Sequence, residues 1–120
     1  MEPYDPDKRY FGPQGSPLCR LIPEAPPTVP QLEPVFNRAA YNHDVGYSGK
    51  RKKGILGLIR EYFERKRIDE KFLYDMELGI MQYLAEDKIT EEEADISILY
   101  ASIAYKAVRK LGWTFYRKGE

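Results

Sequence analysis

All nine prolines of this 120-residue chain lie at or before Pro34, seven of them between Pro13 and Pro34. Proline fixes φ and lacks a backbone donor, so a segment this dense in it forms an extended arm or irregular loop. Beyond Pro34 no proline interrupts the chain, which is rich in Leu, Ile, Glu, Lys, Arg and Tyr at helical spacing. The division predicts an all-α fold in one domain, 1–120. An irregular arm covers 1–34, helices that carry the chemistry cover 35–88, and a further helix and tail cover 89–120.

Helix signals set the finer divisions. Pro34 suits a first turn, and a helix from it to about Tyr47 puts Phe36, Ala39, Ala40, His43 and Tyr47 on one face. "SGKRKKG" (48–54) then breaks the pattern with glycine and a basic block. A second helix is expected from Ile55 through "ILGLIREYFERKR". The following "DEKFLYDMELGIMQYLAED" either continues it or starts anew with Asp69 near its N-terminus. Thr90 stands three residues before Glu93, the spacing of a capping box, and opens a last helix to about Leu111. The stripe expected to seek a partner there is Ile96, Leu99, Ile103 and Val108.

Composition narrows the function classes. Basic and acidic residues balance at 19 each, so no overall field draws the molecule to nucleic acid. Cys19 is the only cysteine, which rules out an intrachain disulfide and suits a reducing cytosol or a virion interior better than secretion. The first residues lack the apolar core of a leader peptide, and no apolar run approaches the ~18 residues of a membrane span. A cytoplasmic or virion-associated protein is the expectation.

The single histidine lies in "AAYNHDVGY" (39–47), next to Asp44. Ala39, Ala40 and Gly46 keep bulk away from the imidazole, leaving room for a second helix and a small molecule. Adjacent helical residues point about 100° apart, so His43 and Asp44 need separate partners. For His43 a carboxylate would fix the tautomer and steady the imidazolium, the arrangement of a general base. Asp69 and Asp75 compete for that role. Asp69 shares a line with Phe72, Met76, Ile80 and Tyr83, while Asp75 lies about 120° away. A carboxylate on a buried stripe must be paired, because desolvating it alone is costly. Asp69 is therefore the chosen partner, and a helix N-cap is its other reading. For Asp44 the natural partner is a hard cation such as calcium, with backbone carbonyls of the turn-rich "YFGPQG" (10–15) completing the shell.

These residues resemble the phospholipase A2 superfamily. "AYNHDVGY" is similar to the Cys-x-x-His-Asp-x-Gly-Tyr signature of its bacterial and fungal enzymes, with Ala40 in the cysteine's place. "RIDEKFLYDM" resembles their second signature, and "YFGPQG" resembles the calcium loop, most closely the parvovirus capsid form. The resemblance covers about residues 10–82 and implies two antiparallel core helices that carry the dyad behind a calcium-loop arm. It implies His43 as general base, Asp69 as its orienting carboxylate and Tyr47 as a hydrogen-bond donor to that carboxylate. Asp44 would be the calcium carboxylate, with carbonyls near Tyr10, Gly12 and Gln14. The family's cysteines are missing, as in its viral members, which suggests a virus-encoded protein that breaches membranes. Counted from the signatures, two cysteines that join the dyad helices in relatives fall at Ala40 and Ile80, so these are expected to touch.

The activity so implied is calcium-dependent hydrolysis of the sn-2 ester of glycerophospholipids. The alternative is a catalytically inactive relative that binds membrane or protein through the same scaffold. A third reading, from a different class, is a plain helical interaction protein. Lys50, Arg51, Lys52 and Lys53, with Ile55 and Leu56 beside them, form a candidate membrane-facing patch. The bland reading of such a charge run is a solvated loop.

Overall fold

Helix follows helix once the prolines end. The computed structural model describes residues 2–10, 28–48 and 54–112. The tail after Gly112 lies outside them. A short 3₁₀ turn, Pro30–Leu32, leads directly into α1, Glu33–Tyr47, with Pro34 in its first turn. There the missing N–H of proline has no helical acceptor to lose. Ser48 ends α1, its N–H reaching the Asp44 carbonyl at 3.0 Å. The face expected from the sequence is the face that is buried: Phe36, Ala39, Ala40, His43 and Tyr47.

One helix, α2, Gly54–Ala85, replaces the two that the sequence left open. Between Leu58 and Leu78 there is neither glycine nor proline, so nothing stops propagation. Asp69 therefore sits in mid-helix and is no N-cap. Its line is the buried one, with Phe72, Met76 and Ile80 at its sides and Tyr83 partly buried.

The α2–α3 connection is closed by two caps. Asp87 takes φ +58°, while Asp87 N–H bonds the Leu84 carbonyl at 3.1 Å and Lys88 N–H the Tyr83 carbonyl at 2.9 Å. This is a Schellman ending in which aspartate stands at the usual glycine position. Three residues later the capping box forms: Glu93 N–H to Thr90 Oγ1 at 3.1 Å, and Thr90 N–H to Glu93 Oε1 at 2.9 Å. Ile89 and Ala94, the two positions of a hydrophobic staple, are both buried. The chain is thus forced to reverse, and α3, Glu91–Leu111, returns along α2.

The face of α3 differs from the sequence expectation. It buries Ala94, Ser97, Ala101, Ala104 and Val108, whereas Ile96, Leu99 and Ile103 are 42, 61 and 46 % exposed. Only Val108 of the expected stripe is covered. Small side chains let the helix backbones come close, and larger ones on the same face would hold α3 away. Hydrophobicity alone misjudged which of those two faces the fold needs.

α1 and α2 run antiparallel, and glycines set their spacing. A Cβ on Gly46 would lie 2.8 Å from Ile68 Cγ2, and one on Gly79 would overlap Val35. The approaches Val35–Gly79, His43–Asp69 and Gly46–Ile68 keep in step along the two helices. That register sets Ala40 across from about residues 72–74, and places Ile80 roughly two turns further on along α2. Ala40 and Ile80 are both fully buried, but they are not opposite each other. The expected replacement of a cross-link by this pair is therefore corrected. Close packing at the two glycines holds the helices together instead.

The N-terminal segment docks on α1. Asn37, 1 % exposed, accepts from Tyr10 N–H at 2.7 Å and donates to the Lys8 carbonyl at 2.7 Å. Tyr4, Tyr10 and Tyr41 stack into one aromatic cluster, capped by the Arg38 guanidinium 4.3 Å over the Tyr4 ring.

Candidate active site

A fully buried carboxylate needs its lone pairs filled, and Asp69 draws donors from two other elements to do so. From α1, His43 Nε2 lies 2.7 Å from Oδ1, and Tyr47 donates its hydroxyl to the same oxygen at 2.6 Å. From α3, Arg109 Nη1 donates to Oδ2 at 2.7 Å. His43 and Tyr47 stand four residues apart on α1, so one carboxylate meets both at once. Asp75 instead bonds Lys71 on its own helix, at 2.8 and 3.0 Å.

The imidazole is held as well as bonded. Its ring sits 4.2 Å from that of Tyr47 and 4.9 Å from that of Phe72, and His43 is 1 % exposed. With Nε2–H directed at a carboxylate, the free lone pair of the neutral ring belongs to Nδ1. That atom is buried and has no hydrogen-bond partner among the described residues. A buried acceptor that no side chain or backbone donor among the described residues reaches is one that a water or substrate group can use.

Among the described residues two groups have displaced proton affinities. Burial, the hydrogen bond to Asp69 and the charge of Asp69 all push the Tyr47 phenol well above its usual range. Burial alone would lower Arg109, but the hydrogen bond and charge of Asp69 outweigh it and raise its pKa. The tyrosine has a consequence for stability. Above about pH 10 an unfolded tyrosine loses its proton while the folded one keeps it. The folded state then binds more protons than the unfolded, so its stability falls as pH rises through that window. Urea titrations at pH 9 to 11 should show this decline, and Tyr47→Phe should make it shallower. An equal slope in that variant would remove Tyr47 as its source.

The remaining expected residues are placed as follows. Asp44 is half-buried on α1, beside His43 in sequence. Tyr10 is anchored on α1 through Asn37, whereas Gly12, Gln14 and Lys50, Arg51, Lys52 and Lys53 lie outside the described residues. Ile55 and Leu56 are 77 and 75 % exposed at the start of α2. Among the described residues no group of three or more His, Cys, Asp or Glu could hold a metal ion. A calcium site at Asp44 would need backbone carbonyls for most of its shell, which is consistent with the hard-oxygen chemistry of that ion.

Arg109 is the site residue that the sequence reading missed. It lies on α3, next to Val108 on the covered face. The clue was the carboxylate itself: a buried Asp with two oxygens calls for more donors than one imidazole and one phenol supply. Comparison with family models, with curated proteins and with solved structures found no match.

Proposed function

We propose that this protein is a calcium-dependent phospholipase A2-type hydrolase acting on the sn-2 ester of glycerophospholipids. The observation that carries the reading is the orphaned Nδ1 of an imidazole whose other nitrogen is fixed on a buried carboxylate. A water at Nδ1 would give up its proton to that lone pair as its oxygen attacks the ester carbonyl. Asp69 steadies the imidazolium through Nε2–H. Nδ1–H then returns the proton to the departing glycerol oxygen, leaving a lysophospholipid and a fatty acid. Asp44, with carbonyls such as those of Tyr10, Gly12 and Gln14, would hold calcium, which when bound supplies positive charge to the carbonyl oxygen. The resemblance of three short segments to that superfamily supplies the substrate class. The deciding assay is hydrolysis of phosphatidylcholine vesicles with calcium and with a chelator. Activity that the chelator leaves intact, or none in calcium, overturns the proposal.

The first turns of α2 suit a lipid surface. Ile55, Leu56, Leu58 and Ile59 are all at least 48 % exposed, and the basic run Lys50–Lys53 precedes them in sequence. Near an anionic bilayer each such cation contributes about 1 kcal/mol. Binding to vesicles containing phosphatidylserine should therefore weaken as salt rises, and Leu56→Asp should weaken it at every salt concentration. Binding indifferent to both would remove this surface from the account.

A further inference from the structure

We propose that Arg109, from the helix that lies beyond the resemblance, is the positioning residue that fixes the plane of the Asp69 carboxylate. The inference rests on the proposed role of His43 as base. His43 and Tyr47 both bond Oδ1. With only that oxygen held, the carboxylate could turn about its Cβ–Cγ bond, a torsion with a broad profile, and tilt the imidazole with it. Arg109 Nη1 on Oδ2 blocks the rotation and offsets the charge of a fully buried acid.

The surroundings keep Arg109 in place. The small-residue face of α3 brings that helix close to α2, and the Arg109 carbonyl accepts from Arg65 Nη1 at 3.4 Å. One residue past α3, a Cβ on Gly112 would strike the Tyr47 hydroxyl. The C-terminal end of α3 therefore packs directly against the donor set of Asp69. The same rotation of α3 that leaves Ile96, Leu99 and Ile103 exposed brings Arg109 onto Asp69.

The test uses the full chain with Arg109→Gln and Arg109→Lys. Because the protein has a single histidine, its imidazole N–H resonances need no assignment. The native protein should show one slowly exchanging Nε2–H far downfield. In Arg109→Gln that signal should move upfield and exchange faster, and kcat should fall by roughly 10–100-fold, the range for losing a supporting partner. KM should change little, since the proposed role acts through Asp69 and not on the substrate. Arg109→Lys should recover most of the rate, because it restores the charge and one donor. If the glutamine variant does not fold, a lysine variant with native resonance and rate upholds the inference, and one with neither overturns it. A folded Arg109→Gln with unchanged resonance and unchanged kcat also overturns it. Should the native protein hydrolyse no phospholipid, the lipolytic reading fails while the imidazole resonance still decides the role of Arg109.

Discussion

Glutamine in place of His43 is expected to lower phospholipid hydrolysis by about 10²–10⁴-fold or more, the contribution of a positioned general base, while the protein stays folded. The side-chain amide can still donate to Asp69 Oδ1, so the buried carboxylate keeps its donor. It has no lone pair basic enough to take a proton from water. Asp44→Asn should behave differently, weakening calcium binding in calorimetry through loss of a coordinating charge. Full activity of either variant on vesicles would sink the mechanism. Far-ultraviolet circular dichroism should show that helix content is retained in both.

Removing Asp69 should have the largest effect on stability. Asp69→Ala leaves His43 Nε2–H, the Tyr47 hydroxyl and the Arg109 guanidinium converging on a space with no acceptor. Breaking a buried charge pair from one side costs about 3–5 kcal/mol, a large part of the ~5–15 kcal/mol that holds a domain together. Asp69→Asn keeps the volume and one acceptor, and should lie between Ala and the native residue. It should also cut the hydrolytic rate, with calcium affinity nearly unchanged. Asp75 is the control. Its partner Lys71 is largely exposed on the same helix, so Asp75→Asn should cost no more than about 0.5 kcal/mol. Urea unfolding of the variants gives the order directly, and a greater loss at Asp75 would mean the wrong carboxylate had been chosen.

Much of this site was legible before any coordinates. Helical periodicity alone aligned His43 with Tyr47 on α1 and set Asp69, rather than Asp75, on a buried line of α2. Both are short-range statements, fixed by 3.6 residues per turn. The capping box at Thr90 was similarly local. The meeting of His43 with Asp69 across α1 and α2 was also anticipated, but the closeness and register with which the helices pack were not. The face α3 would bury turned on how closely helix backbones approach, and alanine and serine give no hydrophobic signal for that. The Ala40–Ile80 pairing required the register between α1 and α2, which two glycines set. Arg109 stands forty residues from Asp69, in a last helical turn where a cation already has an ordinary use beside the carbonyl ends. Its second use became visible only with α3 folded back.

The unbroken length of α2 carries a consequence of another kind. A continuous helix is a rigid spacer, and fourteen residues separate Ile55 from Asp69, about 21 Å of axis at 1.5 Å per residue. Whatever grips the protruding first turns is held at that separation from the carboxylate, and bending cannot close the gap without breaking the hydrogen-bond ladder. A bilayer touched by those turns alone, with the rod standing upright, would keep its ester bonds far below His43. The same rod laid along the lipid plane brings both ends to one depth. The geometry of one helix thus dictates the posture in which the molecule could work at a surface.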